Sequence, residues 1–165
     1  MIDMWDKLID LLNQTLEIYQ ALLELSRKKR AILAKAKPQE LEMLTKQEEV
    51  LILEAGKLEN LRLKHMDELA AALGLSEEKK TLAALINCAD EETADELQAI
   101  SEEFAQINEE LLELNEINAK LIQQSLEFIN YSINILSRSA VGPTYAAKGD
   151  TTPAGANRSI LDAKA

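Results

Sequence analysis

Turn-forming residues are scarce in this chain. Its 165 residues include five Gly and three Pro, and three of those Gly and two of those Pro lie after residue 141. A β-sandwich or a doubly wound sheet needs many more turns, so both are excluded. Aromatics amount to 4%, with one Trp and two Phe, so any core must be built from aliphatic side chains. The lone cysteine, Cys88, has no partner for an internal disulfide, which suits a reducing compartment. No second Cys stands at metal-ligand spacing from it. The lone histidine, His65, lies between Lys64 and Met66 with no nucleophile at fixed spacing, so a triad has no support. Two Glu-x-x-His pairs of a di-iron bundle would require two histidines. No Gly-rich phosphate loop is present, and no EF-hand spacing organises the paired carboxylates. No cofactor, metal or catalytic residue is therefore expected. The opening residues lack the basic start and apolar run of a signal peptide, and no run of about 18 apolar residues occurs. Together these features lead to the expectation of a cytoplasmic protein.

Charge of one sign is also short. The chain carries 18 Lys+Arg against 29 Asp+Glu, a formal net charge of -11. Such a surface repels phosphate backbones and anionic membranes. Residues 90–139 alone hold twelve acidic and two basic side chains. The basic run Arg27-Lys28-Lys29-Arg30 sweeps roughly 300° of a helix, so it forms no single patch and is expected to pair with acidic neighbours.

What remains is helix-forming sequence. Trp5, Leu8, Leu12, Tyr19 and Leu22 recur at helical spacing, flanked by Ile9, Leu16, Leu23 and Leu33, which predicts a helix over 2–36. Lys37-Pro38 stops it and opens a second helix over 38–73, which must return antiparallel after so short a link. Leu44, Leu51, Ala55, Leu58, Leu61, Leu69 and Leu73 are expected to supply its buried side. Gly74 suits a left-handed cap, and Ser76 is expected to cap a short helix over 77–87. Asp90 or Asp95 can start the last helix, expected over 90–139. There a 3,4 seam runs without a slip from Leu97 through Ile100, Phe104, Ile107, Leu111, Leu114, Asn118, Leu121, Ser125, Phe128 and Ser132 to Ile135. Gly142-Pro143 is expected to end it. Residues 140–165 show no periodicity and are expected to form a disordered tail. The predicted fold is all-α: an antiparallel bundle of three long helices (1–139) with one short connecting helix and an extended third long helix.

Helix lengths point to a binding surface. At 1.5 Å per residue the first two helices span about 50 and 54 Å, and the third about 75 Å, leaving roughly 20 Å uncovered. Those turns carry a second apolar stripe, Ile122, Leu126, Ile129, Ile133 and Leu136, and Glu127 is the one acid after Glu116 in the helix. Five such side chains represent roughly 8–15 kcal/mol of burial without a partner. An apolar patch of this kind marks an interaction site. The alternative is that the helices are offset and the stripe packs inside the bundle. The polar seam residue Asn118 can fix register, bond to a neighbouring helix or touch a bound chain. A self-associating coiled-coil or adaptor protein is the competing function.

At these residues the chain resembles a known family. "LNEINAKLIQQSLEFINYSINIL" over 114–136, followed by "GPTYAAKG" over 142–149, is similar to the FlgN family of flagellar type III export chaperones. Asn115 and Asn118 before Leu121-Ile122, the tail residues Tyr145, Ala147 and Gly149, and Arg62 within the second helix match the family's pattern. The resemblance implies a cytoplasmic, non-enzymatic chaperone. It implies binding of the C-terminal helical or disordered region of hook–filament junction (hook-associated) proteins, and escort to the export gate. Carried onto this chain, it places the client on Asn118, Ile122, Leu126, Ile129, Ile133 and Leu136, and export-gate docking on Tyr145.

Overall fold

A computed structural model describes residues 1–35 and 37–146, with side chains through Arg138. Among the described residues every regular element is helical: α1 (Ile2–Lys35), α2 (Pro38–Ala72), a 3-10 turn (Glu77–Lys79), α3 (Leu82–Ile86) and α4 (Glu91–Ala146). The all-α bundle with long packed helices read from the periodicity is what the structure shows. The expected tail from 147 onward lies outside the described residues.

Local chemistry sets the helix ends. Pro38 occupies the first turn of α2, where its missing N–H costs no helical bond. Gly74 closes that helix at φ +68°. Its N–H donates to the Ala71 carbonyl at 3.1 Å, and the Leu75 N–H donates to the Ala70 carbonyl at 2.9 Å. This is the paired closure of a left-handed cap. The stretch after it differs from the expected single helix. Ser76 precedes only a 3-10 turn and makes no capping bond, whereas Thr81 accepts from the Ala84 N–H at 3.2 Å and caps α3. Asp90 starts α4 by accepting from the Thr93 N–H at 2.9 Å, and that bond holds its carboxyl below the usual range. At the other end α4 continues past Gly142-Pro143 to Ala146 rather than stopping at 139. A proline removes one backbone donor and can kink a helix without ending it, so the expected stop was too strict.

Contacts divide the chain into two units, 1–119 and 120–165. The boundary between them lies within α4. In the first unit, α1 and α2 are antiparallel: Met4 meets His65 at one end and Lys29 meets Glu48 at the other. α4 runs parallel to α1, with Gln20 on Glu103 at 2.9 Å and Arg27 on Glu110 at 3.1 Å. The Arg27–Glu110 and Lys29–Glu48 pairs disperse the basic run among acidic neighbours.

The core has two parts. The lower one gathers Trp5, Leu8 and Leu12 of α1 with Met66, Leu69 and Ala70 of α2, Leu85 of α3, and Leu97 and Ile100 of α4. The upper one is made by α1 and α4, with Leu16 and Leu23 against Ile107, Leu111 and Leu114. Tyr19 sits edge-on to Phe104 there, with ring centroids 5.4 Å apart. The first half of α2 is only half-buried on α1. Leu69 is fully enclosed as expected, but Leu61 is exposed. The seven-residue step from Leu44 through Leu51 and Leu58 lands on His65, which is buried in its place.

Candidate functional site

The stripe of α4 read from the sequence is uncovered. Ile122, Leu126, Ile129, Ile133 and Leu136 are 37%, 55%, 51%, 40% and 69% exposed. These residues form one side of the helix because they repeat at 4,3,4,3, which keeps them within about 80° of one another. Phe128, Tyr131 and Ile135 are exposed as well. They were not among the expected site residues. Phe128 and Ile135 belong to the seam, and the seam pattern by itself reads as buried.

Asn118 stands apart from the other five. It is 3% exposed and donates from Nδ2 to the Ser26 carbonyl of α1 at 3.1 Å. Ser26 is itself buried, and its hydroxyl points to Asn115 Oδ1 at 3.4 Å. Both asparagines therefore engage one residue of α1. This bond to a neighbouring helix is one of the roles open to a polar seam residue. The backbone of Tyr145 lies in α4, and its side chain lies outside the described residues.

The polar groups within 120–138 demand little from a partner. Ser125 donates its hydroxyl to the Leu121 carbonyl at 2.9 Å, satisfying it within the helix. Gln123 reaches Glu127 at 3.3 Å on the opposite side. At Ser125 an approaching apolar segment thus meets an already bonded hydroxyl, which lowers the desolvation that opposes burial there.

Two further features lie in the first unit. A cleft of about 270 Å³ is lined by Leu12, Tyr19, Glu59, Arg62, Leu82 and Phe104, among others. Arg62 donates to Glu59 through Nε at 2.8 Å, which lowers the Glu59 carboxyl below its ordinary value and raises the guanidinium. His65 donates from Nε2 to the Met4 carbonyl at 2.7 Å, so its role is to tie the start of α1 to the end of α2. Cys88 is exposed. Among the described residues no helix is long and apolar enough to cross a membrane.

The fold is that of an all-α helical bundle whose longest helix leaves an uncharged apolar face open. A family model described as FlgN protein matches residues 1–153. Neither a curated protein nor a solved structure matches the chain. The chain belongs to the FlgN family, and its general role is that of a flagellar export chaperone. The family's partners are flagellar hook-associated proteins.

Proposed function

We propose that this chain acts in the cytoplasm, without catalysis. It holds the C-terminal helical or disordered region of a hook–filament junction protein on residues 122–136 and delivers it to the export gate. The observation that carries this reading is the exposure of Leu126, Ile129 and Leu136 on a soluble-type, strongly acidic chain. Leaving such side chains in water forgoes roughly 1.5–3 kcal/mol each, a free energy that binding of an amphipathic segment recovers. A segment that orders on binding gives part of that gain back in conformational entropy, so the complex is reversible enough to release its cargo. Asn118 contributes by fixing the register of α4 on α1 rather than by touching the client. Tyr145 supplies the docking group for the gate, since a tyrosine buries a ring and keeps a polar end.

The test is a calorimetric titration of the C-terminal fragment of a junction protein from the same organism. The wild-type chain is compared with Leu126→Asp/Ile129→Asp, with far-UV circular dichroism on both. Loss of binding with retained helicity supports the reading. Unchanged binding, or collapse of the helical signal, overturns it. Self-association through the same stripe is the second reading, and it would appear as a stable dimer of the free chain by light scattering.

A further inference from the structure

The outer side of α2 carries a row of residues that the bundle does not use. At about 100° per residue, Met43, Lys46, Val50, Leu53, Lys57, Leu61 and Lys64 fall within one ribbon about 80° wide, and no other residue of 43–64 falls inside it. Its centre lies about 110° round the helix from the row formed by the half-buried Leu44, Leu51 and Leu58 and the buried His65. Met43, Val50, Leu53 and Leu61 are each more than half exposed, and the three lysines are exposed as well. The other exposed aliphatics of α2, Ile52 and Leu63, lie about 80–100° beyond the Leu53 edge and belong to a different side.

Charge sets this ribbon apart. In a chain with 29 Asp+Glu against 18 Lys+Arg, it holds three cations and no acid. Lys46 reaches Glu42, one turn earlier, at 3.1 Å, but both side chains are well exposed and such a pair exchanges easily. Among the described residues Lys57 and Lys64 make no ion pair. Lys57 lies on the midline of the ribbon, with Lys46, Lys64 and Val50 within about 20° of it, Leu53 at one edge and Met43 and Leu61 at the other. A helix laid along the ribbon therefore brings its own midline over three ammonium groups. Covering an ammonium with hydrocarbon alone is unfavourable, whereas a carboxylate opposite forms a charge-assisted hydrogen bond with it. The four apolar side chains and the lysine stems supply the hydrocarbon of the contact.

We propose that residues 43–64 of α2 dock an acidic amphipathic helix of a partner protein. The facing side of that helix carries carboxylates opposite Lys46, Lys57 and Lys64 and apolar residues elsewhere. The ribbon is about 32 Å long, so the partner segment runs for about six turns. Its width matches the stripe of about 100° that one helix buries against another. Its borders favour a helix over an anionic lipid surface. Glu54 lies about 20° past one edge, and Glu42 and Glu49 about 20° and 40° past the other. A helix meets these positions with cations on its own flanks, the arrangement that sets partner choice in paired helices. A flat anionic surface would bring the same carboxylates against its headgroups. The ribbon lies wholly within the first unit, and this reading does not rest on the client stripe of α4.

The experiment titrates the full chain with three probes. The first is a designed helical peptide of about six turns with Glu opposite the lysines and Leu elsewhere on its facing side. The second has Lys in place of each Glu, and the third is a vesicle containing phosphatidylserine. Calorimetry is expected to give one acidic peptide per chain, bound about tenfold or more tighter than the basic one, in line with three ion pairs. Its affinity should fall as salt is raised from about 0.05 to about 0.5 M. Lys57→Glu/Lys64→Glu should reverse the preference between the two peptides, with far-UV helicity retained because both side chains are exposed. Should that variant unfold, Lys57→Gln/Lys64→Gln reads the same pairing through a lost salt dependence. Val50→Ser/Leu53→Ser should weaken the acidic peptide by about tenfold. Leu126→Asp/Ile129→Asp should leave it unchanged, which separates this face from the client stripe. Failure of the acidic peptide to bind, equal binding of both peptides, or loss of binding in the Leu126→Asp/Ile129→Asp variant overturns the proposal. So does vesicle binding that the lysine variants abolish, which would assign the face to a membrane. A free chain whose dimer dissolves in the lysine variants also overturns it, because the occupant is then a second copy.

Discussion

Asn118 of α4 donates to the backbone carbonyl of Ser26 of α1 across 3.1 Å, and both residues are shut away from solvent. A buried amide on a seam costs stability, and here Nδ2 is bonded while the buried Oδ1 has no partner, so pairing with the Ser26 carbonyl offsets part of that cost in this register. It is the last buried member of the seam, because Leu121 and its successors are half-buried or exposed.

Removing this bond should be felt in the fold rather than in the client. Asn118→Ala is expected to lower unfolding free energy by about 1–3 kcal/mol. A urea titration reads this as a lower midpoint with unchanged slope. Affinity for a junction-protein fragment should stay within about threefold, in line with surface neutrality of roughly 0.5 kcal/mol. A much larger loss of affinity would show that Asn118 touches the client.

The stripe should behave in the opposite way. Leu126→Ser or Ile129→Ser is expected to change stability by no more than about 0.5 kcal/mol, because nothing described encloses these side chains. By contrast Leu69→Ala and Leu97→Ala, both fully buried, are each expected to cost about 2–5 kcal/mol. Parallel thermal melts of the four variants make the comparison. A cored-out response at Leu126 would place it inside a packed interface.

Gly74 gives a purely conformational test. Its φ is +68°, and a Cβ built there meets no atom within 4 Å. Gly74→Ala should therefore destabilise by about 1–2 kcal/mol through backbone strain alone. The loss is expected in chemical denaturation with no change in far-UV helicity under native conditions.

Acid sensitivity follows from Glu59. The hydrogen bond from Arg62 holds its carboxyl below the ordinary range. A depressed folded-state value favours the folded chain above the unfolded pKa of about 4.3, and this contribution is lost as pH falls through the lowered folded value. Glu59→Gln should leave a flatter stability profile below about pH 4.3 than the wild type shows. Because Glu59 is about half-exposed, the effect is small, within the ordinary range of about 0–1 kcal/mol for such pairs. Equal slopes for the two proteins would dissociate Glu59 from acid unfolding.

At the end of α4, Tyr145→Ala is expected to reduce secretion of the junction protein while purified client binding persists. A secretion assay beside calorimetry separates the two. Loss of client binding would place Tyr145 on the client instead.

Much of this architecture is legible in one dimension. The long Gly- and Pro-free segments, the stop at Lys37-Pro38, the cap at Gly74 and the 3,4 seam of α4 are local patterns, and helices obey local rules. The exposure of Ile122, Leu126, Ile129, Ile133 and Leu136 was inferred from helix lengths, which a rise per residue converts into distance. Other features were not legible. Ser76 has the chemistry of a cap, yet it precedes only a 3-10 turn, and Thr81 five residues on caps the α-helix that follows. Leu61 and His65 exchanged places because an aliphatic side chain looks buried and a histidine does not, whereas burial follows the facing side of the helix.

By itself the sequence determined that the chain is helical, where its long helices begin and turn, and that the far part of α4 carries more apolar surface than one seam requires. Backbone propensity and periodicity act within a few residues, so these facts need no neighbour. Only the tertiary structure decided that Asn118 closes onto Ser26 while Phe128 and Ile135, on the same seam, stay open. That distinction depends on which side chains of another helix stand opposite, and residues 92 positions apart meet only once the chain has folded.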